Sequence, residues 1–298
     1  MTRIVVRRVI RSFFVFVVAS ILVFVALRVA PGDPQFVSAA TRASHGLDDP
    51  APIQYLDFMA DFFTGDLGAS FVTGLPIDEV LRTAGTATLK LFIAAIVLTY
   101  GFAIPLSFLA IWRRNSALDR GITYAAGLAM GIPNFFLAVL LIQLFAVELR
   151  WLPVAGDESF NHLILPAALL AAEQVSINVR MLRSALLEEL NQDYVRTLRA
   201  KGLSEGRILW VHGVRHALPP VIALVGLTLR TLLAYTFIVE VIFRWPGLGR
   251  QLVNAIRDND FELAHVLALL LVTAVIIFNL LADLVQEAAD PRLRERAS

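Results

Sequence analysis

Six long apolar stretches constrain this chain more than any other feature of its sequence. Each has between 18 and 26 residues, and a helix needs about 20 mostly apolar residues to cross a membrane. The stretches are continuously apolar, whereas the strands of a membrane barrel alternate in polarity. We therefore predict an all-α, polytopic membrane protein with six transmembrane helices, at residues 12–29, 87–112, 122–147, 163–187, 221–243 and 263–285.

Composition supports a membrane protein and narrows its chemistry. Hydrophobic residues make up 57% of the chain and charged residues 17%, against roughly 45–50% and about 25% in soluble domains. The chain has no cysteine, which excludes a disulfide scaffold, a thiol nucleophile and thiolate metal ligands. Neither lysine follows a glycine, so a Walker A loop is excluded. If transport through this chain uses ATP, a partner must hydrolyse it.

The basic residues predict the orientation. Seventeen of the 26 lie at the termini, after the second span and after the fourth, and six lie on the opposite side. Because basic residues concentrate in cytoplasmic segments, both termini are predicted to be cytoplasmic. Arg28 and Pro31 make a poor cleavage site, so we expect the first span to remain as a helix. The acidic segment 30–86 is then external, with short helices expected near 53–63.

We predict two parts along the sequence: residues 1–86, an N-terminal helix plus the external segment, and residues 87–298, a five-helix core. The core carries a long cytoplasmic loop at about 188–219. We expect this loop to form two short amphipathic helices that break at Gly202, where glycine supplies a positive φ, and Pro219-Pro220 to start the fifth span. The pattern fits a helix docked in a protein groove and a helix on the membrane surface equally well.

The same loop contains two apparent catalytic signatures. Gly202-Leu203-Ser204-Glu205-Gly206 matches the nucleophile elbow, but that motif needs a preceding strand, and no strand-like run precedes it. His212 and His216 have the spacing of a zinc helix, but the glutamate base and a third ligand are missing. We interpret the first signature as chance and expect a structural or lipid-facing role for the two histidines.

Charged residues inside the spans are candidates for function. Glu173 lies in the fourth span, with Ser176 and Arg180 at helical spacing, and Arg230 lies in the fifth. At 1.5 Å per residue, Glu173 is about 15 Å deep and Arg230 about 20 Å. We therefore hypothesise a Glu173–Arg230 contact, either as an interhelical pair or on a translocation path. We also expect kinks at the prolines of the second and third spans, Pro105 and Pro133.

Together these pieces resemble a B-type permease subunit of the oligopeptide/dipeptide class of ATP-binding-cassette importers, over nearly the whole chain. The pieces that carry the resemblance are Leu27-Arg28-Val29-Ala30-Pro31-Gly32-Asp33-Pro34, Gly65-Asp66-Leu67-Gly68-Ala69-Ser70, Trp151-Leu152-Pro153, Leu165-Pro166-Ala167, Asp193-Tyr194-Val195-Arg196-Thr197, Ala200-Lys201-Gly202-Leu203, Glu240, Trp245-Pro246-Gly247-Leu248-Gly249-Arg250 and Asp290-Pro291-Arg292. The family's loop begins Glu-Ala-Ala, letters that Arg196-Thr197-Leu198 lack.

The resemblance implies a fold and partners. It implies the permease fold of type I importers and a multi-pass subunit of a prokaryotic inner membrane that works by alternating access. The chain would be non-catalytic and bind no cofactor or metal. Its partners would be a second related permease, two cytoplasmic ATPases that hold ATP and magnesium, an extracytoplasmic binding protein and membrane lipid, without nucleic acid.

The resemblance also implies site residues. Coupling to the ATPase would lie in the cytoplasmic loop, and an external gate or binding-protein docking site would follow the fifth span. The coupling residues are Thr197, Arg199, Ala200, Lys201, Gly202 and Leu203, and the external ones are Trp245, Pro246, Gly247, Leu248 and Gly249. Glu173 and Arg230 match no general position of the family.

Two other function classes remain as alternatives. A secondary transporter needs ion-coupling carboxylates deep in its spans, and Glu173 and Asp283 qualify. An intramembrane hydrolase would use Ser204 or the two histidines. Among importers of this class, cargo includes peptides, nickel complexes, glutathione and sugars, and peptides are the favoured prediction.

Overall fold

The computed structural model describes residues 2–29 and 49–289. The predicted motif pieces at 30–34 and 290–292 lie outside these residues. In the two described ranges every regular element is a helix, which confirms the all-α class. The elements are α1 (Thr2–Val29), α2 (Ala51–Thr64), α3 (Ile77–Trp112), α4 (Ala117–Met130), α5 (Asn134–Leu141), the π-helical segment π1 (Ile142–Glu148), α6 (Phe160–Leu190), α7 (Asp193–Ala200), α8 (Glu205–Arg207), the π-helical segment π2 (Ile208–Gly213), α9 (Val214–Ile242), α10 (Leu248–Arg257) and α11 (Phe261–Ala289).

Among the described residues, five helices are long and apolar enough to cross a membrane: α1, α3, α6, α9 and α11. They correspond to five of the six predicted spans. The predicted third span corresponds to a bent pair of helical segments, because α4 and the α5–π1 segment meet at an angle of 104°, and the kink expected at Pro133 is confirmed. Pro133 lies at the break. Proline lacks the N–H that would continue the helix, and it also disfavours helical backbone at the residue before it.

The start of the fifth helix differs from the prediction. Pro219 and Pro220 lie inside α9 rather than in its first turn, and helical backbone runs without a gap from Glu205 through π2 into α9. Ile208, Leu209 and Ala217 are buried in one hydrophobic cluster on both sides of the α9 start. This continuous apolar face stabilises the helix, and long membrane helices tolerate interior prolines.

The chain forms two compact units, and each is discontinuous in sequence. The first comprises Met1–Leu89 and Arg244–Leu280. In it α1 packs on α2, which confirms the helix expected near residues 53–63. The rings of Phe24 and Tyr55 lie 5.5 Å apart, edge to face, and the hydroxyls of Ser20 and Tyr55 are hydrogen-bonded at 2.8 Å. Gly65, with a φ of +83°, ends α2 in the left-handed conformation.

The second unit comprises Lys90–Phe243 and Leu281–Ser298, and α6 lies at its centre. Small and branched side chains of α3, α4, α6 and α9 pack around Val179, which is 1% exposed. Asn178, fully buried, donates a hydrogen bond to the hydroxyl of Thr228 at 2.9 Å. Such interhelical hydrogen bonds add a modest stabilisation to helix pairs in lipid. The predicted division into residues 1–86 and 87–298 stays a prediction.

Candidate functional site

A tight turn joins α7 to α8 in the loop between α6 and α9, which the sequence predicts to be cytoplasmic. The N–H of Gly202 donates to the carbonyl of Arg199 at 2.9 Å, and the N–H of Leu203 donates to the carbonyl of Leu198 at 3.2 Å. With Gly202 at a φ of +81°, these two bonds form a Schellman motif. The predicted break at Gly202 is therefore confirmed, and its cause is the left-handed backbone that glycine adopts most easily.

A hydrophobic cluster anchors both sides of this turn. Val195 of α7 and Ile208 of π2 are fully buried, and they pack with Ile111 at the end of α3 and with Leu186 and Leu190 at the end of α6. Alongside the cluster, the rings of Phe108 and Trp210 stack with centroids 4.3 Å apart and planes at 6°. Movement of the turn is consequently linked by direct packing to two membrane helices.

An ion pair closes the turn from α7 to α8. The guanidinium of Arg199 donates to both carboxylate oxygens of Glu205, at 2.6 Å and 3.2 Å. Hydrogen bonding from Arg199 is the main reason that the pKa of Glu205 lies below its ordinary range, and Glu205 correspondingly raises the pKa of Arg199. Glu205, which the sequence analysis did not assign to coupling, is thus a partner in the turn.

The predicted coupling residues divide into two structural groups. Four of them are exposed and form the free surface of the turn: Thr197, Ala200, Lys201 and Gly202. Arg199 and Leu203 are half-buried; Arg199 holds the ion pair and Leu203 packs on the hydrophobic cluster. The coupling role itself stays a prediction.

Ser204 has a structural role in this loop. It is the N-cap of α8, where its hydroxyl accepts a hydrogen bond from the N–H of Arg207. The residues before it form α7 and the turn, so the strand that a nucleophile elbow requires does not precede it. His212 is half-buried in π2, whereas the side chain of His216 lies outside the described side chains.

A pocket of about 150 Å³ lies among α5, α6 and α9. Its walls are mostly apolar, with Phe135 and Leu232 among them, and Glu173 contributes a carboxylate. The side-chain amide of Asn134 donates to that carboxylate at 2.7 Å. Gln174, Thr231 and Tyr235 add the other polar groups.

The hypothesis of a Glu173–Arg230 contact was wrong. Arg230 forms its ion pair with Asp283 of α11, while Glu173 is bonded to Asn134. Matching depths fix only the position along each helix axis, and successive residues point about 100° apart around it. Thr231 faces the pocket, so Arg230, one residue earlier, faces another helix.

Arg180 also lies away from this pocket. Its side chain is exposed, and its guanidinium lies 3.5 Å from the sulfur of Met130 at the end of α4. Of the three residues predicted for a path or an interhelical pair, the structure brings only Glu173 to the pocket wall, and Arg230 is in an interhelical pair with a different partner.

The predicted external motif is largely buried in the first unit. The indole N–H of Trp245 donates to the carbonyl of Ala87 at 2.9 Å, and the N–H of Leu248 donates to the hydroxyl of Thr88 at 2.9 Å. The motif thereby fixes the start of α10 against α3. The buried members are Trp245, Gly247, Leu248 and Gly249, and Pro246 is half-buried. A gating or docking role for these residues stays a prediction.

Two polar links escaped the sequence analysis. Arg183 of α6 forms a bidentate ion pair with Asp119 of α4, at 2.6 Å and 2.8 Å. In the first unit, the hydroxyl of Ser70 and the N–H of Phe71 donate to the two carboxylate oxygens of Asp260. Asp119 follows the helix-start signal of Ser116, but its pairing over 64 residues has no local signal.

Comparisons with known proteins agree with this geometry. Residues 103–295 match the family described as "Binding-protein-dependent transport system inner membrane component". The chain is 36% identical to the oligopeptide transport system permease protein AppB of Bacillus subtilis, covering 97% of this chain and 98% of that protein. It is also 36% identical to the di/tripeptide transport system permease protein DppB of Pseudomonas aeruginosa, covering 93% of this chain and 94% of that protein. It is 35% identical to the glutathione transport system permease protein GsiC of Salmonella typhimurium, covering 93% of this chain and 94% of that protein.

A solved structure supports the fold. The inward-facing MetNI methionine ABC transporter contains a chain that superposes with a TM-score of 0.60 at 21% sequence identity, covering 72% of this chain and 98% of that one. At this identity the likeness concerns the fold alone, and it confirms the predicted permease fold of ABC importers.

Proposed function

The chain belongs to the family of binding-protein-dependent transport system inner membrane components, and from this premise we propose that it imports peptides. It is a multi-pass permease subunit of an ATP-binding-cassette importer. Two of the relatives named above are permeases for oligopeptides and for di- and tripeptides, and a third serves glutathione, itself a small peptide. These relatives support peptides as the class of cargo.

The cytoplasmic turn is the observation that carries the coupling part of the proposal. Its exposed face combines a basic side chain with small ones, Lys201 beside Ala200 and Gly202, which suits close approach to a protein groove. Its other face is packed on the ends of α3 and α6. A cytoplasmic ATPase that closes on this face would therefore move the membrane helices through packed side chains.

Besides this chain, the proposed assembly contains three kinds of protein and the surrounding lipid. A second related permease completes the path, two ATPases bind the cytoplasmic turns and hold ATP and magnesium, an extracytoplasmic protein delivers the peptide, and lipid surrounds the spans. The chain itself carries out no hydrolysis and binds no cofactor. ATP binding supplies the difference in affinity that an alternating-access transition requires. Both termini lie in the cytoplasm of a prokaryotic cell, as the basic residues predict.

Purification from the native host tests this assembly. The tagged chain is isolated in mild detergent, and its companions are identified by mass spectrometry. We expect a second six-span permease and P-loop ATPases. The double variant Ala200→Glu with Lys201→Glu should lose the ATPases and keep the second permease, because it reverses the charge of the exposed turn. Asp157→Arg with Glu158→Arg, a similarly large charge change of opposite sign in an exposed loop before α6, should keep both.

Uptake by the reconstituted assembly tests the cargo. We expect uptake of radiolabelled di- to pentapeptides that requires ATP and the binding protein. A chain that purifies alone and transports on an ion gradient without ATP would instead be a secondary transporter, and an ATP-dependent assembly that takes up no peptide would refute the cargo.

A further inference from the structure

Glu173 is a carboxylate in a membrane helix with no cation beside it in the described part of the chain. Its one hydrogen-bond donor there is the neutral amide of Asn134. The two arginines nearest in helical register are engaged elsewhere: Arg180 with Met130 and Arg230 with Asp283. Ionisable residues inside membrane helices are costly, and they are usually paired or functional. Glu173 thus has the position of a binding group whose charged partner is not among the described residues.

The carboxylate of Glu173 favours a cation as that partner, although the helix end beside it does not. Asn134 is the first residue of α5, so the carboxylate is held beside the partly positive N-terminal end of a helix. An amide hydrogen bond and a helix end offset only part of the desolvation of a carboxylate. A full positive charge at hydrogen-bond distance would offset much more, because charge-assisted hydrogen bonds are roughly twice as strong as neutral ones.

The size and lining of the pocket narrow the class of cation. Its volume of about 150 Å³ is close to that of an engineered cavity that binds benzene, and is enough for an ammonium group with the carbons next to it. The walls of the pocket are apolar apart from a few polar groups, and Tyr235 is one of the residues that line the pocket. Aromatic rings attract cations at their faces, and this combination is typical of sites for small organic groups.

We propose that Glu173 binds a primary ammonium group of the cargo as it passes through this subunit, and so selects for cationic cargo. The inference rests on the proposed peptide import. A peptide offers two such groups, its amino terminus and a lysine side chain. The site discriminates inside the membrane, after the binding protein has released its cargo.

The test measures peptide uptake by the reconstituted complete importer with wild-type chain and with Glu173→Gln. Four labelled tripeptides are compared: Ala-Lys-Ala and Ala-norleucine-Ala, each with a free and with an acetylated amino terminus. The result for each peptide is the ratio of variant to wild-type rate at saturating loaded binding protein. Loading by the binding protein cancels in this ratio, because it is the same for both transporters.

We expect the variant to take up ammonium-bearing peptides about tenfold more slowly, the usual effect of losing one hydrogen bond to a charged group. Acetyl-Ala-norleucine-Ala, which has no ammonium, should keep its rate. A loss limited to free amino termini identifies the terminus as the ligand, and a loss limited to lysine peptides identifies the side chain. Both outcomes support the proposal.

Two further variants separate binding from folding. Glu173→Asp keeps the charge and should retain most of the preference for ammonium. Glu158→Gln makes the same chemical change at an exposed position outside the pocket and should leave all four ratios near one. An equal loss for all four peptides, or no loss for any, would overturn the role of Glu173 while wild-type uptake still supports peptide import. A wild-type importer that takes up no peptide would refute the proposed function, and this inference with it.

Discussion

At Gly202 the backbone adopts a φ of +81°, and the space where a Cβ would stand is open. A larger side chain would therefore meet no neighbour there, and its cost would come from the backbone itself. Residues other than glycine, asparagine and aspartate adopt the left-handed region at a cost of roughly 1–2 kcal/mol. The geometry of the turn between α7 and α8 accordingly depends on a conformational preference rather than on a close contact.

Gly202→Ala should loosen this turn by about 1 kcal/mol, which is a factor of about five in its local opening. The measurement is hydrogen–deuterium exchange of the amides at 202 and 203 in the purified chain, and we expect exchange about fivefold faster. Gly202→Asn should be milder because asparagine tolerates the left-handed region. Gly121→Ala, at another open position where φ is not positive, should leave exchange at the turn unchanged. Unchanged exchange in Gly202→Ala would contradict the prediction.

The residue scale also marks the limit of sequence reasoning. The conformational freedom of glycine predicted the break at Gly202, and the presence of a charge inside a span identified Glu173 as unusual. Neither observation identified Asn134 or Asp283 as partners, because a pairing across helices depends on how each helix is rotated about its axis. One-dimensional depth contains no information on that rotation.

At the scale of elements, the two halves of the loop act as one piece because of the Arg199–Glu205 ion pair. Glu205 has a lowered pKa, so its contribution to stability is fully present above its ordinary value of 4.5 and is lost as pH falls through the lower folded-state pKa. The side chain of Glu205 is 60% exposed. Exposed pairs contribute about 0.2–1 kcal/mol.

A double-mutant cycle with Arg199→Gln and Glu205→Gln tests this pair. At pH 7 each single variant should speed exchange of the amides at 202 and 203 by up to about fivefold, and the double variant by no more than either one. In the wild type, protection corrected for intrinsic exchange should fall below about pH 4.5. It should change less over the same range in Glu205→Gln. Additive single effects would show that the two side chains act independently.

Prediction succeeded for whole elements where hydrophobicity alone decides the outcome. Five spans follow from runs of apolar residues, which need a helix to satisfy their backbone groups in lipid. The helix near residues 53–63 follows from its apolar and aromatic residues with interleaved aspartates. The third span is bent at Pro133, where a kink was expected, whereas the start of the fifth helix was predicted wrongly. Proline has opposite results in these two places: Pro133 lies where the chain turns by 104°, whereas Pro219 and Pro220 lie in a helix that packing keeps continuous. The residues next to each proline do not show which other parts of the chain pack against it.

At the scale of the whole molecule, the orientation in the membrane can be measured directly because the chain has no cysteine. Single cysteines introduced at Lys201 and Glu158, both exposed, should lie on opposite sides. In intact cells a membrane-impermeant maleimide should label Glu158→Cys, and it should label Lys201→Cys only after permeabilisation. The reverse pattern would invert the predicted topology, and labelling of both in intact cells would contradict a single orientation.

The bond between Ser70 and Asp260 spans 190 residues of sequence, and this has a consequence for the order of synthesis. At 5–20 residues per second, the ribosome needs roughly 10–40 seconds to make the chain between these two residues. During that interval the 49–89 segment has left the ribosome without its companion from α10 and α11. The contact between Ser70 and Asp260 can therefore form only when the last transmembrane helix is being made. A chain released before that point would expose the 49–89 segment to quality-control proteases.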